Sequence, residues 1–317
     1  MTTAFVLSGG GSLGAVQVGM LAALAERNVA PDLLVGTSVG ALNATFVAQR
    51  GTDEDAVRDL RQVWLRLRRR DVFPFEPRRQ LLALAGRRPS LCSADGLRRI
   101  LEDNLPYRHL EDALVPVHVL ATNVLTGEEV FLSSGEVVPV VLASAAIPGV
   151  FPAVVHEGLA LCDGGVSDNA GISRAVALGA DTVYVLPAGY ACALTRPPSG
   201  AVAAALHAVS LLTHRRLLEE VASFADRVDL RVLPPLCPLS VSPFDFGHTR
   251  ELVGRAFRST SEWLATGASV LPHPERFLGL HDHESPTPVE RPSGGTAQRS
   301  PEAVRAGSRG AGRDWSP

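Results

Sequence analysis

The chain has 317 residues, 46% of them hydrophobic, enough to bury the core of one enzyme-sized domain. Its formal net charge is −3, so no basic excess points to nucleic acid as a partner. All 30 residues counted as lysine or arginine are arginine, which excludes Ser-Lys dyads, Schiff-base chemistry and phosphate-loop lysines together.

The first predicted strand is Ala4-Phe5-Val6-Leu7. No charged n-region precedes it, so no Sec-type signal peptide is expected. The glycine cluster Ser8-Gly9-Gly10-Gly11-Ser12-Leu13-Gly14 follows and opens a helix running to about Arg27, with Val18, Leu21, Leu24 and Ala25 at helical spacing. A glycine-rich turn feeding a helix N-terminus gathers backbone N–H groups at one spot and stabilises negative charge there. Two charges compete for it. Gly9-x-Gly11-x-x-Gly14 fits the dinucleotide fingerprint, which also needs an acidic residue about twenty positions on, near the end of the second strand. Asp32 is the candidate, but it precedes its strand. The alternative is an oxyanion hole.

The next predicted strand, Leu33-Leu34-Val35, runs into Gly36-Thr37-Ser38-Val39-Gly40 and then a helical stretch, Ala41–Gln49. Strand, tight turn with serine at its apex, helix is the order that lifts a hydroxyl out as a nucleophile. Gly36 and Gly40 suit the close packing such a turn requires. With Ser38 as nucleophile, an oxyanion hole around Gly9, Gly10, Gly11 and Gly14 explains both glycine motifs with one reaction.

An arginine-rich helix is predicted over about Asp53–Arg69, followed by an irregular insert, Asp71–Ser93, carrying Phe73-Pro74-Phe75, Leu81-Leu82 and several arginines. The insert reads either as a solvated loop capped by a short core helix or as a lid touching anionic lipid surfaces. Val117–Ala121 and Glu129–Leu132 form a hairpin across Thr126-Gly127. After the strand Leu159-Ala160-Leu161-Cys162 comes Asp163-Gly164-Gly165. Asp163 is either a proton acceptor for a nearby hydroxyl or a turn aspartate bonding its own backbone. None of the nine histidines stands in a catalytic motif; His156 lies in a short hairpin, and His281 and His283 in a polar tail.

A helix over Ser173–Leu178, a strand over Thr182–Leu186, a helix over about Gly200–Ala225, a strand over Asp229–Leu233, a proline-rich loop over 234–243 and an amphipathic helix over about 248–266 complete the alternation. That pattern predicts a mostly parallel sheet with helices on both faces. The apolar stretches around Val137–Val150 and Ala201–Leu212 are too short to cross a membrane. Cys92, Cys162, Cys192 and Cys237 match no zinc spacing and read as buried reduced thiols, with no metal expected. From 282 to 317 the composition turns to Ser, Pro, Gly, Arg and Glu without periodicity, which predicts a disordered tail behind a domain spanning 1–281.

The glycine loop, the elbow around Ser38 and the Asp163 block resemble, in the same order, the three blocks of the patatin-like phospholipases. The stretch Ala143-Ser144-Ala145-Ala146-Ile147-Pro148-Gly149-Val150-Phe151-Pro152 and Asp168-Asn169 are similar to what bacterial members carry there. The resemblance implies a three-layer α/β/α fold, a Ser38–Asp163 dyad without histidine, and lipid acyl esters as substrates of a phospholipase A or lysophospholipase type. It implies no cofactor, and so no nucleotide. A cytoplasmic protein in transient contact with membrane surfaces is the expected setting. The alternative is a catalytically weak or inactive lipid-binding, regulatory member. Many members carry Arg or Lys where this chain has Leu13, which leaves head-group preference open.

Overall fold

The computed structural model describes residues 1–194, 196–267 and 278–279. A first compact unit spans Met1–His283. The tail expected over 282–317, with His283, and His281 just before it, lie outside the described residues.

The elements in chain order are β1 (Thr3–Leu7), α1 (Gly14–Glu26), β2 (Leu33–Thr37), α2 (Val39–Arg50), α3 (Glu54–Arg66), α4 (Arg69–Val72), α5 (Pro77–Leu84) and α6 (Asp95–Asn104). Then come β3 (Val117–Asn123), β4 (Glu129–Leu132), α7 (Val137–Ser144), β5 (Val154–His156) and β6 (Leu159–Asp163). Last are α8 (Ile172–Ala177), β7 (Thr182–Leu186), α9 (Ala201–Phe224), β8 (Asp229–Val232) and α10 (Thr249–Ala265). The α3 start has a local cause: the Asp53 side chain accepts the Ala56 N–H at 2.8 Å, and Glu54 and Asp55 oppose the helix dipole in the first turn. The insert is more ordered than its sequence suggests. It contains α4 and α5, and α5 buries none of its residues, so the short core helix expected there is an exposed one.

Among the described residues the strands form one eight-stranded sheet, ordered β5-β6-β3-β2-β1-β7-β8, with β4 on β3. The pairs β1–β2, β1–β7, β2–β3 and β7–β8 are parallel, and the rest antiparallel. Alternate residues of β1 feed two cores. Phe5 and Leu7 join α1, α2, α3 and α10 on one face, while Ala4 and Val6 join α8 and α9 on the other. The result is an α/β fold with helices on both faces of a mostly parallel sheet, as the strand–helix alternation predicts.

The register of β3 brings the ends of two strands together. Leu120 pairs with Thr37 on one side and Phe131 on the other, and Ala121 with Asp163 and Val130. Since β4 overlaps both registers it takes one edge of β3, so β2 and β6 share the opposite edge. They run toward each other along it and meet where Thr37 ends β2 and Asp163 ends β6.

A buried polar chain braces the helices behind this point. Trp64 Nε1 of α3 donates to Asn43 Oδ1 at 2.8 Å. Asn43 Nδ2 of α2 donates to Gln17 Oε1 and the Gly14 carbonyl, and Gln17 Nε2 of α1 donates to the carbonyls of Ser8 and Leu186. Asn43 and Gln17 are fully buried, so each satisfied group would cost about 1–3 kcal/mol if orphaned. Asn43→Ala strands the Trp64 donor and the Gln17 acceptor. Urea unfolding is expected to register a loss of about 2–4 kcal/mol; a loss within about 0.5 kcal/mol would contradict this role for the chain.

Candidate active site

Ser38 follows β2 directly and caps α2 with φ 54° and ψ −119°. A serine at positive φ costs on the order of 1–3 kcal/mol and persists only where its surroundings over-determine it. They do so here. A Cβ at Gly40 would collide with the Leu7 carbonyl oxygen, so the first turn of α2 lies directly on the end of β1. The Ser38 N–H donates to Ser144 Oγ at 2.8 Å, and that hydroxyl donates to the Leu120 carbonyl at 2.5 Å. Ser144 thereby ties the elbow to β3.

Across the head-to-head junction, Ser38 Oγ donates to Asp163 Oδ2 at 2.6 Å. The other carboxylate oxygen, Oδ1, accepts the Gly165 N–H at 2.9 Å. The serine is 6% exposed and the aspartate 7%. Burial pushes the Asp163 carboxyl up to about 6, and the hydrogen bonds from Ser38 and Gly165 only partly oppose it.

The glycine loop passes beside the serine. A Cβ at Gly9 would sit 3.3 Å from Ser38 Cβ and 2.8 Å from Asn169 Oδ1. The loop is held by Gly9 N–H to the Asn169 carbonyl at 3.2 Å and Ser12 N–H to the Pro243 carbonyl at 2.8 Å. Gly11, at φ +59°, adopts a conformation that other residues reach only with strain. Among the described residues, no acceptor in the chain takes the N–H of Gly10 or Gly11.

Gly9, Gly10, Gly11, Ser38, Asp163 and Gly165 thus line one cleft of about 820 Å³, its open mouth included. Gly14, Gly36, Gly40 and Gly164 stand behind it as packing positions. A Cβ on Gly14 would strike the Val39 side chain, one on Gly36 would lie 2.6 Å from Ala41 Cα, and one on Gly164 would strike the Leu120 carbonyl. A second, smaller pocket meets the cleft at Gly11, Ser38 and Ile147. Apart from those first two residues its walls are apolar, among them Val39, Leu42, Trp64, Leu97, Phe151 and Phe246. No arginine lines either space among the described residues. Leu13 is fully buried in the core, so its side chain does not reach the cleft.

The nucleotide reading of the loop meets a geometric obstacle. Asp32 accepts the Thr3 N–H at 2.7 Å, at the start of the parallel pair β1–β2, while the glycines lie at its far end. Five residues of strand separate them by about 16 Å.

Several residues to which the sequence assigns no role belong to the site. Ser144 is a lone hydroxyl at the end of the apolar run from Val137, and that isolation is a signal of sorts. Asn169 anchors Gly9. His214 lines the cleft, but its Nε2 bonds the Leu278 carbonyl at 2.9 Å, and burial pulls its pKa down against that bond. Among the described residues, the Ser38 hydroxyl bonds Asp163, not a histidine. His156 lies in β5. Two of the four cysteines depart from expectation. Cys92 and Cys162 are buried, whereas Cys192 is half-buried and Cys237 exposed, because both sit on surface loops.

The sequence model of patatin-like phospholipases matches residues 5–176. Lysophospholipase nte1 of Aspergillus terreus is 30% identical over 184 residues, 58% of this chain and 12% of that protein. Patatin-like phospholipase domain-containing protein 7 of Mus musculus is 28% identical over 188 residues, 59% of this chain and 13% of that one. The chain therefore spans about an eighth of the length of these curated relatives. A solved structure, VipD from Legionella pneumophila, superposes with a TM-score of 0.43 at 16% identity, covering 84% of this chain and 66% of that one.

The raised Asp163 pKa has a consequence for stability. Its folded value exceeds the unfolded one of 3.8, so the group's contribution is fully present below that value and is lost as pH rises through about 6. Near pH 8 the buried charge costs about 3 kcal/mol. Asp163→Asn is expected to raise the unfolding free energy near pH 8 by up to that amount and to give no gain below about pH 4. Denaturant titrations at the two pH values check this, and equal effects at both would contradict it.

Proposed function

Because the chain belongs to the patatin-like phospholipase family, we propose that it hydrolyses lipid acyl esters, with Ser38 as nucleophile and Asp163 as general base. The observation that carries the reading is the 2.6 Å bond from Ser38 Oγ to a buried carboxylate, beside loop N–H groups that meet no acceptor among the described residues.

The steps follow from that arrangement. Asp163 takes the hydroxyl proton as Ser38 Oγ attacks the acyl carbonyl, and the carbonyl oxygen becomes negative. The Gly10 and Gly11 N–H groups hold that oxyanion, an interaction whose loss typically costs about 3 kcal/mol in the transition state. The tetrahedral intermediate collapses, Asp163 returns the proton to the departing alcohol or lysolipid, and the acyl group stays on Ser38. Water, deprotonated by Asp163, then releases the fatty acid. A carboxyl with a pKa near 6 is a stronger base than an ordinary aspartate, yet still ionised at neutral pH.

The two cavities divide the substrate between them. The apolar one takes the acyl chain, and the open cleft takes the alcohol part. Lysophospholipid or phospholipid esters are the substrate class; the names of the two curated relatives point the same way. Substrate is reached by transient contact of a cytoplasmic protein with a membrane surface, and no nucleotide or metal enters the reaction.

Three outcomes test this. Ser38→Ala should reduce ester hydrolysis by roughly a thousandfold or more and abolish labelling by a fluorophosphonate; undiminished hydrolysis would refute the nucleophile. The kcat/KM of the unaltered protein should rise with pH to a plateau through an apparent pKa near 6. A pH-independent rate between about 5 and 8 would contradict Asp163 as base. Leu97→Trp, which fills the apolar cavity, should depress turnover of long-chain esters far more than of short-chain ones, and an equal loss on both would remove that cavity from the substrate path.

A further inference from the structure

The surface around the mouth of the cleft carries a pattern that hydrolysis itself does not need. On α5, Leu81 and Leu84 lie one turn apart and are 70% and 71% exposed, and Phe75 just before the helix is 80% exposed. On α9, the described residues from Ala203 to Thr213 include no Asp, Glu or Arg, although Val209 and Leu212 of that stretch are 42% and 63% exposed. An exposed helix face of a soluble domain is ordinarily charged.

The two patches adjoin. A surface groove lined by Gln80 and Leu84 on one side and Ala203 and Leu206 on the other shares Leu206 and Phe244 with the cleft that holds Ser38. Val209 lines that cleft as well. The apolar surface is therefore continuous with the lip of the site.

Charge gives the partner. Residues 69–93 contain six arginines (69, 70, 78, 79, 87 and 88) against Asp71 and Glu76, a net +4 within a chain of net −3. Arg78, Arg87 and Arg88 flank the exposed leucines and are themselves exposed, and no ion pair is recorded for them among the described residues. Apolar side chains that insert, beside cations that remain at head-group level, match an anionic lipid interface.

We propose that α5, with Phe75, and the Ala203–Thr213 stretch of α9 form a docking face for anionic bilayers, oriented so that the cleft opens onto the lipid. This rests on the lipid-ester reading above, because the face matters only if the substrate is drawn from a membrane. It assigns work to the exposed residues of α5 and of the uncharged half of α9, which do not line the Ser38–Asp163 site. It also accounts for a cleft without arginines: attraction to anionic lipid resides on the rim, not at the reacting centre.

The test uses the full chain carrying Ser38→Ala, so that vesicles survive the measurement. Sedimentation with vesicles of phosphatidylcholine, with and without phosphatidylglycerol, is compared for this protein and two surface variants. One bears Phe75→Ser, Leu81→Ser and Leu84→Ser; the other bears Arg78→Glu, Arg87→Glu and Arg88→Glu. The parent should partition onto phosphatidylglycerol vesicles at least about tenfold better than onto phosphatidylcholine alone, and each variant should lose about tenfold or more. With Ser38 restored, both variants should hydrolyse a water-soluble short-chain ester at the parent rate. Equal pelleting of the parent and both variants, or indifference to the anionic lipid, would overturn the docking face while leaving the hydrolase reading untouched. Lipid-free dimerisation that the apolar substitutions abolish would also overturn it, assigning the face to a second copy. Absence of ester hydrolysis by the protein with Ser38 in place and no surface substitution would instead strike at the hydrolase reading.

Discussion

The arrangement that everything else depends on is the junction of β2 and β6 on one edge of β3. Two strands approaching head to head cannot continue, so each must leave the sheet at the point of meeting. β2 leaves through the Ser38 elbow, and β6 through the Asp163-Gly164-Gly165 turn. The side chains at the two exits are thereby brought into a 2.6 Å hydrogen bond although 125 positions separate them in sequence. The parallel neighbour β1 ends at the same level and delivers the glycine loop beside them.

That junction is unfavourable in isolation. It holds a serine at positive φ and a carboxylate away from water, and both cost free energy. The surrounding structure offsets this with many small constraints. Ser144 bridges the elbow to β3, Asn169 fastens the glycine loop, and Trp64, Asn43 and Gln17 lock three helices to the carbonyl at Ser8. Their partners are buried, so the constraints act in a low dielectric where each is strong and where losing one partner is expensive. Stability spent at the site in this way is common where a geometry must be held ready for chemistry.

What was legible in the sequence divides along the same line. The elbow, the glycine loop and the Asp163 turn are local patterns: a strand, a turn with a special residue and the start of a helix, all within ten residues. Their order resembled the family, and the family is the one the chain belongs to. The bracing roles are not legible, because Ser144, Asn169, Asn43 and Gln17 act through partners up to 169 positions away or are identified only by where the chain returns. Even so, a solitary hydroxyl closing an apolar run is the kind of residue to question. The insert reads as irregular because its apolar residues do not form one buried stripe. Phe73 is buried, whereas Phe75, Leu81 and Leu84 are exposed, and Pro77 at the first position of α5 is its one local start signal.

In the proposed reaction one hydroxyl, one carboxylate and two main-chain amides act as a unit. A crystal structure of the protein after reaction with a long-chain alkyl fluorophosphonate tests it most directly. The expected result is phosphorus bonded to Ser38 Oγ, a phosphoryl oxygen about 2.7–3.1 Å from the Gly10 and Gly11 nitrogens, and the alkyl chain running into the pocket walled by Leu97 and Phe151. A phosphoryl oxygen directed to solvent, or an adduct on another residue, would contradict it.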